Sequence, residues 1–181
     1  MSFKLKKGFT LIELLIVIAI LGTLAVVVLI ALNPVQQLAR TRDAGRRSTV
    51  SQLGHAVEAN ATSRNGVYLT PAATWVTALV TAGEIATAPQ NPTYSAPGGA
   101  ANCATNAQNG FCYNAYGAPL TRAIVYARLE SAAENSKCPT AGNAAWAVYS
   151  TANSGGGILC TGGAEPGDPG ATGYSGANWI Q

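Results

Sequence analysis

A single carboxylate, Glu13, lies at the start of an uncharged apolar run that extends from Leu14 to Leu32. These nineteen residues, as a helix that rises about 1.5 Å per residue, would span roughly 28 Å, close to the bilayer hydrocarbon thickness of about 30 Å. A carboxylate inside such a span is costly to bury, so it indicates a function. The sequence therefore predicts a membrane-spanning helix with a functional acid near its N-terminal end.

Basic residues and a glycine come immediately before this span. The short leader ends in Lys6-Lys7-Gly8, and Phe9 then opens the apolar segment. A conventional secretory signal has a shorter apolar region that is followed by its cleavage site. Here the apolar region is long enough to span a bilayer, so the sequence predicts that the span is retained.

The segment from this leader through Gly8 and Phe9 to Val17 closely resembles the class III signal peptide and N-terminal helix of type IV pilins. It resembles pseudopilins, their relatives in secretion systems, equally well. The resemblance implies that a prepilin peptidase cuts between Gly8 and Phe9. It also implies that the new amine of Phe9 is N-methylated and that the mature chain starts at Phe9.

The chain is predicted to have three parts. Residues 1–8 are the leader, residues 9–34 are the transmembrane and fibre-core half of a long helix, and residues 35–181 are its amphipathic half with a globular head. The leader lysines lie closest to the span and the cysteines favour an oxidising compartment, so we expect the head outside the cytoplasm. The formal net charge of +3 is too small to argue for nucleic acid as a partner.

A single bent helix is predicted from about Phe9 to Ser63, with Asn65-Gly66 as its stop. Gly22 and Pro34 both weaken a helix, so we expect a kink or an extensible stretch between them. In pilins, which this segment resembles, the stretch between a glycine and a proline loses helicity inside the fibre. Gly22 matches the family's glycine, but the family's usual proline position is Ile30 here.

The part of this helix beyond Pro34 is amphipathic. Arg40, Arg46 and Arg47 lie opposite its apolar face, and Asp43 is placed to pair with Arg47 on the surface. We expect the apolar face to pack on the head; it consists of Val35, Leu38, Val50, Leu53 and Val57, with Ala39, Ala56 and Ala61.

The remaining residues predict a small head, so the fold class is α+β, as in type IV pilins. A short helix is expected from Pro71 to Gly83, and the run 83–92 resembles the loop that follows such a helix in many pilins. Residues 93–119 are rich in Gly, Asn and Ala and are predicted to be a loop. Three or four antiparallel strands are expected, with Trp179 and Ile180 anchoring the tail; the strands are Leu120–Leu129, Ala144–Ser150 and Ile158–Thr161.

Four cysteines lie in the second half of the chain, at Cys103, Cys112, Cys138 and Cys160. An even number beyond a membrane-targeting segment favours two disulfides over a zinc site, since none of the four forms a Cys-x-x-Cys pair. The sequential pairing, Cys103 with Cys112 and Cys138 with Cys160, is preferred because it closes the shortest loops. Sequence alone leaves the other two pairings open.

Other polar residues form weaker patterns. His55 and Glu58 are three residues apart, but without an evident nucleophile or metal-ligand partner a surface or packing histidine is favoured. Glu165 and Asp168 offer too few oxygen ligands for calcium, so a solvated loop is favoured. Asn60 begins a glycosylation sequon, but it falls within a predicted helix.

The arginines at positions 40, 42, 46 and 47 could meet DNA phosphates. Without interleaved aromatic residues, a solvated or subunit-contacting role is favoured, and DNA remains an unsupported partner. No catalytic residue, metal site or cofactor is predicted, so an enzyme is the least favoured function.

Glu13 is predicted to act in assembly, where its carboxylate pairs with the amine of Phe9 on a neighbouring subunit and each buried charge is compensated. We expect a type IV pilin that enters the cytoplasmic membrane, is processed, and is polymerised by a pilus assembly platform. The resulting homo-oligomeric extracellular filament would serve adhesion, motility or DNA uptake. The alternatives are a pseudopilin of a type II secretion system and a minor pilin with an adhesive or DNA-binding head.

Overall fold

The computed structural model describes residues 8–92, 103, 106–140 and 142–181. The described residues form four α-helices and six β-strands. The helices are α1 (Leu11–Leu32), α2 (Pro34–Ser63), α3 (Trp75–Thr81) and α4 (Ala132–Asn135). The strands are β1 (Ala107–Gln108), β2 (Phe111–Tyr116), β3 (Arg122–Arg128), β4 (Ala144–Ser150), β5 (Gly155–Thr161) and β6 (Trp179–Ile180).

The strands form one antiparallel sheet in the order β1-β2-β3-β4-β5-β6, so each strand pairs with its neighbour in the chain. The predicted class, α+β with a long N-terminal helical region and an antiparallel head, is confirmed. By its contacts the chain divides into two compact units between Gln37 and Leu38.

Asn33 separates α1 from α2, so the predicted single helix is interrupted at one residue. Its φ of 40° is left-handed, a conformation in which asparagine commonly ends helices. The carbonyl of Asn33 accepts hydrogen bonds from the N–H groups of Gln36 and Gln37, which places Asn33 at the start of α2 as well. Pro34 then occupies the first helical position, where its missing N–H is tolerated. Gly22 stays within α1.

The second half of α2 packs on the sheet, as predicted. Val50, Leu53 and Val57 are buried in one apolar cluster with inward-facing residues of β2 to β5. The prediction is wrong for Val35 and Leu38, which are 61 % and 59 % exposed. The cluster that covers α2 begins at Val50, which leaves these two side chains outside it.

Residues 111–116 form strand β2, although they were predicted to be part of a loop. Phe111 and Tyr113 are buried in the core, and β2 pairs with β3 from Cys112 to Tyr116. Two of the Gly and Asn residues of this region, Asn109 and Gly110, form the preceding turn, where both have positive φ and join β1 to β2. An Asn-Gly pair between two strands is a strong hairpin signal. The other residues of the predicted loop before position 106, apart from Cys103, lie outside the described part.

Helix α3 is shorter than the predicted Pro71–Gly83, and it packs on β2 through an aromatic pair. The rings of Trp75 and Tyr113 are stacked with centroids 5.1 Å apart. The side-chain carbonyl of Gln108 accepts hydrogen bonds from the N–H groups of Val76 and Thr77, so β1 satisfies the first turn of α3. Gly83, with a φ of 79°, follows the end of the helix as predicted.

The outer face of the sheet carries a second apolar cluster, which the C-terminal tail covers. Tyr126 and Trp146 form its centre, and Tyr174 and Trp179 from the tail pack against it. Trp179 and Ile180 pair with β5, so the predicted anchoring of the tail is confirmed.

Two disulfides tie the head together. One joins Cys103 to Cys112 on β2, and the other joins Cys138, just after α4, to Cys160 on β5. This is the sequential pairing that closes the shortest loops. The longer of the two closed loops has a sequence separation of 22 residues and contains all of β4.

Candidate functional site

The N-terminal turn of α1 is closed by reciprocal hydrogen bonds between Thr10 and Glu13. The Glu13 carboxylate accepts from the backbone N–H of Thr10 at 2.8 Å and from its hydroxyl at 2.6 Å. In return, the Thr10 hydroxyl accepts from the N–H of Glu13 at 3.3 Å. This arrangement is a capping box, which satisfies donors that the start of a helix leaves unpaired.

This role of Thr10 is not among the predictions above, although its signal is in the sequence. A threonine followed three residues later by a glutamate at the start of an apolar run is the pattern of a capping box. The consequence is that Glu13 has hydrogen-bond partners within its own subunit. Gly8 and Phe9, the predicted cleavage pair, lie immediately before this cap and are exposed.

The remainder of α1 is an apolar rod with no buried residue. Large apolar side chains are exposed along its whole length. Leu11 at its start is 85 % exposed, and Ile30 near its end is 76 % exposed. Among the described residues, α1 is the one helix that is long and apolar enough to cross a membrane. At about 1.5 Å per residue its length is roughly 33 Å.

Such a rod is soluble only when something covers it. Lipid tails can cover it in a membrane, and the apolar faces of other helices can cover it in a polymer. The capped Glu13 near its N-terminal end is the one charged group within the helix. The geometry therefore combines a helix that fits membrane anchoring with one charge near its N-terminal end.

A family model described as the prokaryotic N-terminal methylation motif matches residues 3–29. The chain has the class III signal peptide of type IV pilins. The match covers most of the leader, the expected cut between Gly8 and Phe9, and most of α1, including Glu13. No curated protein and no solved structure matches the chain.

A prepilin-type N terminus of this kind implies processing by a prepilin peptidase and assembly into a membrane-associated polymer. The apolar α1 fits the membrane anchor of a prepilin. The family evidence points to a structural, pilin-like protein. The recognised motif ends before α2, so the properties of the head are argued from its own contacts.

In the head of this prepilin-like chain, a buried ionic cluster joins α2 to the segment between β3 and α4. The Asp43 carboxylate accepts from Arg46 at 2.6 Å and from the backbone N–H groups of Glu130 and Ser131. The Glu130 carboxylate in turn pairs with Arg42 and Arg46. Asp43 and Arg46 are 1 % and 2 % exposed, so the pair is almost completely removed from water.

This cluster corrects two predictions. Arg46 does not lie on a solvated face, and Asp43 does not pair with Arg47 on the surface. Arg47 lies instead 3.7 Å from the Glu134 carboxylate, with about half of its side chain exposed. Helix spacing could have identified Arg46, three residues from Asp43, as its partner. It could not identify Glu130 and Ser131, which are 87 and 88 residues away along the chain.

Glu165 and Asp168 fasten the tail to the outer face of the sheet. Glu165 accepts from the Tyr126 hydroxyl at 2.9 Å, and Asp168 accepts from both nitrogens of the Arg122 guanidinium that face it. The Arg122 hydrogen bond is the main reason that the pKa of Asp168 is lowered. Burial, and then the bond to Glu165, raises the pKa of Tyr126. Both carboxylates therefore make structural contacts, and Asp168 is at the same time exposed to solvent, as predicted for this loop.

The predicted pair His55 and Glu58 lies on α2 next to a third polar group, the Tyr149 hydroxyl from β4. This hydroxyl lies 3.1 Å from His55 Nδ1 and donates to Glu58 Oε2 at 2.7 Å. Burial, and then the bond to Glu58, raises the pKa of Tyr149. Asn60, the start of the sequon, is buried within α2, where a glycan cannot be attached.

Proposed function

We propose that this chain is a structural subunit of a type IV pilus. A prepilin peptidase cuts between Gly8 and Phe9, and Phe9 is then N-methylated. The processed subunit resides in the cytoplasmic membrane until an assembly platform polymerises it into an extracellular filament. The filament serves adhesion, motility or DNA uptake. The observation that carries the proposal is the apolar α1, which has no buried residue and has its one charge close to the cut.

Helix α1 serves two environments in this proposal. Lipid surrounds it before assembly, and the α1 helices of other copies surround it in the fibre core. Because lipid tails are as apolar as leucine, cohesion between the helices comes from close packing and not from release of water. Ala19, Gly22 and Ala25 recur every three residues and let helix backbones approach closely; a Cβ at Gly22 would meet nothing within 4 Å in the isolated subunit.

Charge pairing gives the assembly its register. The Phe9 amine that cleavage creates carries a positive charge, and the Glu13 carboxylate of a neighbouring copy is its counter-ion. Both hydrogen bonds from Thr10 end on Glu13 Oε2, so Oε1 can accept the amine while the capping box stays intact. An unpaired carboxylate in the fibre core would be the costlier arrangement, so the stagger that pairs the two charges is favoured.

Fibres sheared from the cell surface provide the test of this function. We expect their main band, in mass spectrometry, to be this chain beginning at a methylated Phe9. Deletion of the gene should remove the fibres. If fibres persist without the chain and secretion of enzymes is lost, the protein is a pseudopilin of a type II secretion system. If fibres persist and only adhesion or DNA uptake is lost, it is a minor pilin.

A further inference from the structure

The exposed face of α2 carries one nitrogen and one oxygen atom of the kinds that bind metal ions. A third such atom, an oxygen from β4, lies next to them. The three atoms are His55 Nδ1, Glu58 Oε2 and the Tyr149 hydroxyl oxygen. Their separations are 3.1 Å from tyrosine to histidine, 2.7 Å from tyrosine to glutamate and 3.8 Å from histidine to glutamate. Imidazole, carboxylate and phenol oxygen are all metal-ligand types, and here they converge on one point.

We propose that His55, Glu58 and Tyr149 form a surface site for a divalent transition-metal ion of the zinc class. Zinc bonds to nitrogen and oxygen are about 2.0–2.2 Å long, and the point equidistant from the three donor atoms lies about 1.9 Å from each. One ion slightly above the plane of the three atoms therefore reaches all of them. Water completes its coordination on the open side.

The surroundings allow an ion to approach this triangle. The His55 side chain is 67 % exposed and that of Glu58 is 33 % exposed, so solvent reaches both. The Tyr149 ring is buried, and it packs edge to face against His55 with centroids 4.9 Å apart, which holds the hydroxyl in place. Two ligands from one helix turn and a third from a fixed strand make a preorganised site.

Protons must move when the ion binds. In the metal-free protein the Tyr149 hydroxyl donates its proton in a hydrogen bond to Glu58. A bound cation favours the phenolate, so binding releases this proton to solvent and the oxygen then bonds the metal. Because the one proton of the hydroxyl goes to Glu58, His55 Nδ1 donates its own proton to the hydroxyl oxygen in the metal-free protein. When the ion binds, Nδ1 loses this proton to solvent, Nε2 takes one up, and Nδ1 then bonds the ion through its lone pair. The site would fasten α2 to β4 at the surface of the head.

Composition makes the site easy to test. The chain has one histidine, and its four cysteines are all in disulfides, so no second imidazole or thiolate competes for the metal. Tag-free full chain in detergent, treated with a chelator and dialysed, is titrated with Zn²⁺ by calorimetry. We expect saturable binding of one ion per chain, with proton release seen as a heat that depends on the buffer. Mg²⁺, which prefers an all-oxygen shell, should not compete.

Three variants examine the ligands individually. His55→Gln and Glu58→Gln should each abolish saturable Zn²⁺ binding, and Tyr149→Phe, which keeps the buried ring, should weaken it at least about tenfold and remove the proton release. The control is Glu84→Gln, which changes a carboxylate in the segment after α3. This variant should bind Zn²⁺ as the parent chain does. Circular dichroism establishes that each variant is folded.

The outcomes that overturn the proposal are clear. They are absence of saturable binding by the folded parent chain, unchanged binding by folded His55→Gln, or full affinity in folded Tyr149→Phe. If Tyr149→Phe does not fold, the buffer dependence of the heat in the parent chain decides: binding without proton release contradicts a phenolate ligand. None of these results bears on pilus assembly, which depends on α1.

Discussion

Gly54 on α2 lies directly against the ring of Tyr149 on β4. A Cβ built on this glycine would come within 2.2 Å of Tyr149 Cγ and 2.3 Å of Cδ1, far closer than two carbon atoms can approach. The absence of a side chain at position 54 is therefore what lets the ring lie between the helix and the sheet. This contact sets how closely α2 packs on the head.

Gly54→Ala should destabilise the head. Overpacking of this size costs about 1–3 kcal/mol, which outweighs the gain of roughly 1 kcal/mol that alanine brings within a helix. The matched control is Gly45→Ala on the same helix, where a Cβ meets nothing within 4 Å. We expect this control to be neutral or slightly stabilising. Urea unfolding of the full chain in detergent, followed by near-UV circular dichroism, measures both; equal effects at the two positions would contradict the packing argument.

Asp43→Asn should be among the most damaging single changes in the head. It removes the nearer of the two carboxylates that pair with Arg46 in an almost fully buried cluster, and breaking such a buried pair costs about 3–5 kcal/mol. Arg47→Ala removes an exposed charge from the same helix and should change the free energy of unfolding by less than about 1 kcal/mol. Comparison of the denaturation midpoints of the two variants checks this difference in stability. If Asp43→Asn lowers the midpoint only slightly, the buried cluster is not required for the stability of the head.

Glu13→Gln is expected to block filament assembly without blocking membrane insertion. The amide oxygen can still accept both hydrogen bonds from Thr10, so the helix cap is retained while the charge is lost. Thr10→Val is the complementary control, because it removes the hydroxyl of the cap and keeps the carboxylate. Fibre yield after shearing, compared with the amount of processed subunit in the membrane, separates the two effects. Normal assembly of Glu13→Gln would defeat the proposed charge pair with Phe9.

The tail contact between Arg122 and Asp168 should make stability depend on acid pH. The pKa of Asp168 is lowered from its usual 3.8, chiefly by the Arg122 hydrogen bond, so the stabilisation is present above that value and is lost as the pH falls through the lowered pKa. We expect Asp168→Asn to reduce the fall in thermal midpoint below about pH 4. A melting series on both proteins measures it. Identical pH profiles would show that the Arg122–Asp168 pair adds no measurable stability, which is the case for some exposed ion pairs.

Several features were readable from the sequence because they depend on residues close together in the chain. The length of the apolar run, the acid at position 13 and the glycine before the cut are all local, and the lipid-soluble helix follows from them directly. Disulfide pairing followed from the same logic, since short loops are the least costly to close. The alternation of side chains that predicts β3 and β4 is also local. The Asn109-Gly110 hairpin signal is local too, although it was not used in the prediction.

Tertiary structure alone decided the remaining contacts. Asp43 meets Glu130 and Ser131, and Glu58 meets Tyr149, across 87 to 91 residues of chain, so no spacing rule brings them together. Helical periodicity placed Arg46 opposite the apolar face, but a charge can be buried when it is paired. Asp43 on the same helix is one partner of Arg46, and the folded head supplies Glu130 as the second. The sequence by itself determined a capped apolar anchor with a single acid, because lipid solubility is a property of one helix. Folding decided which polar groups lie together on the head, because those neighbours come from different elements.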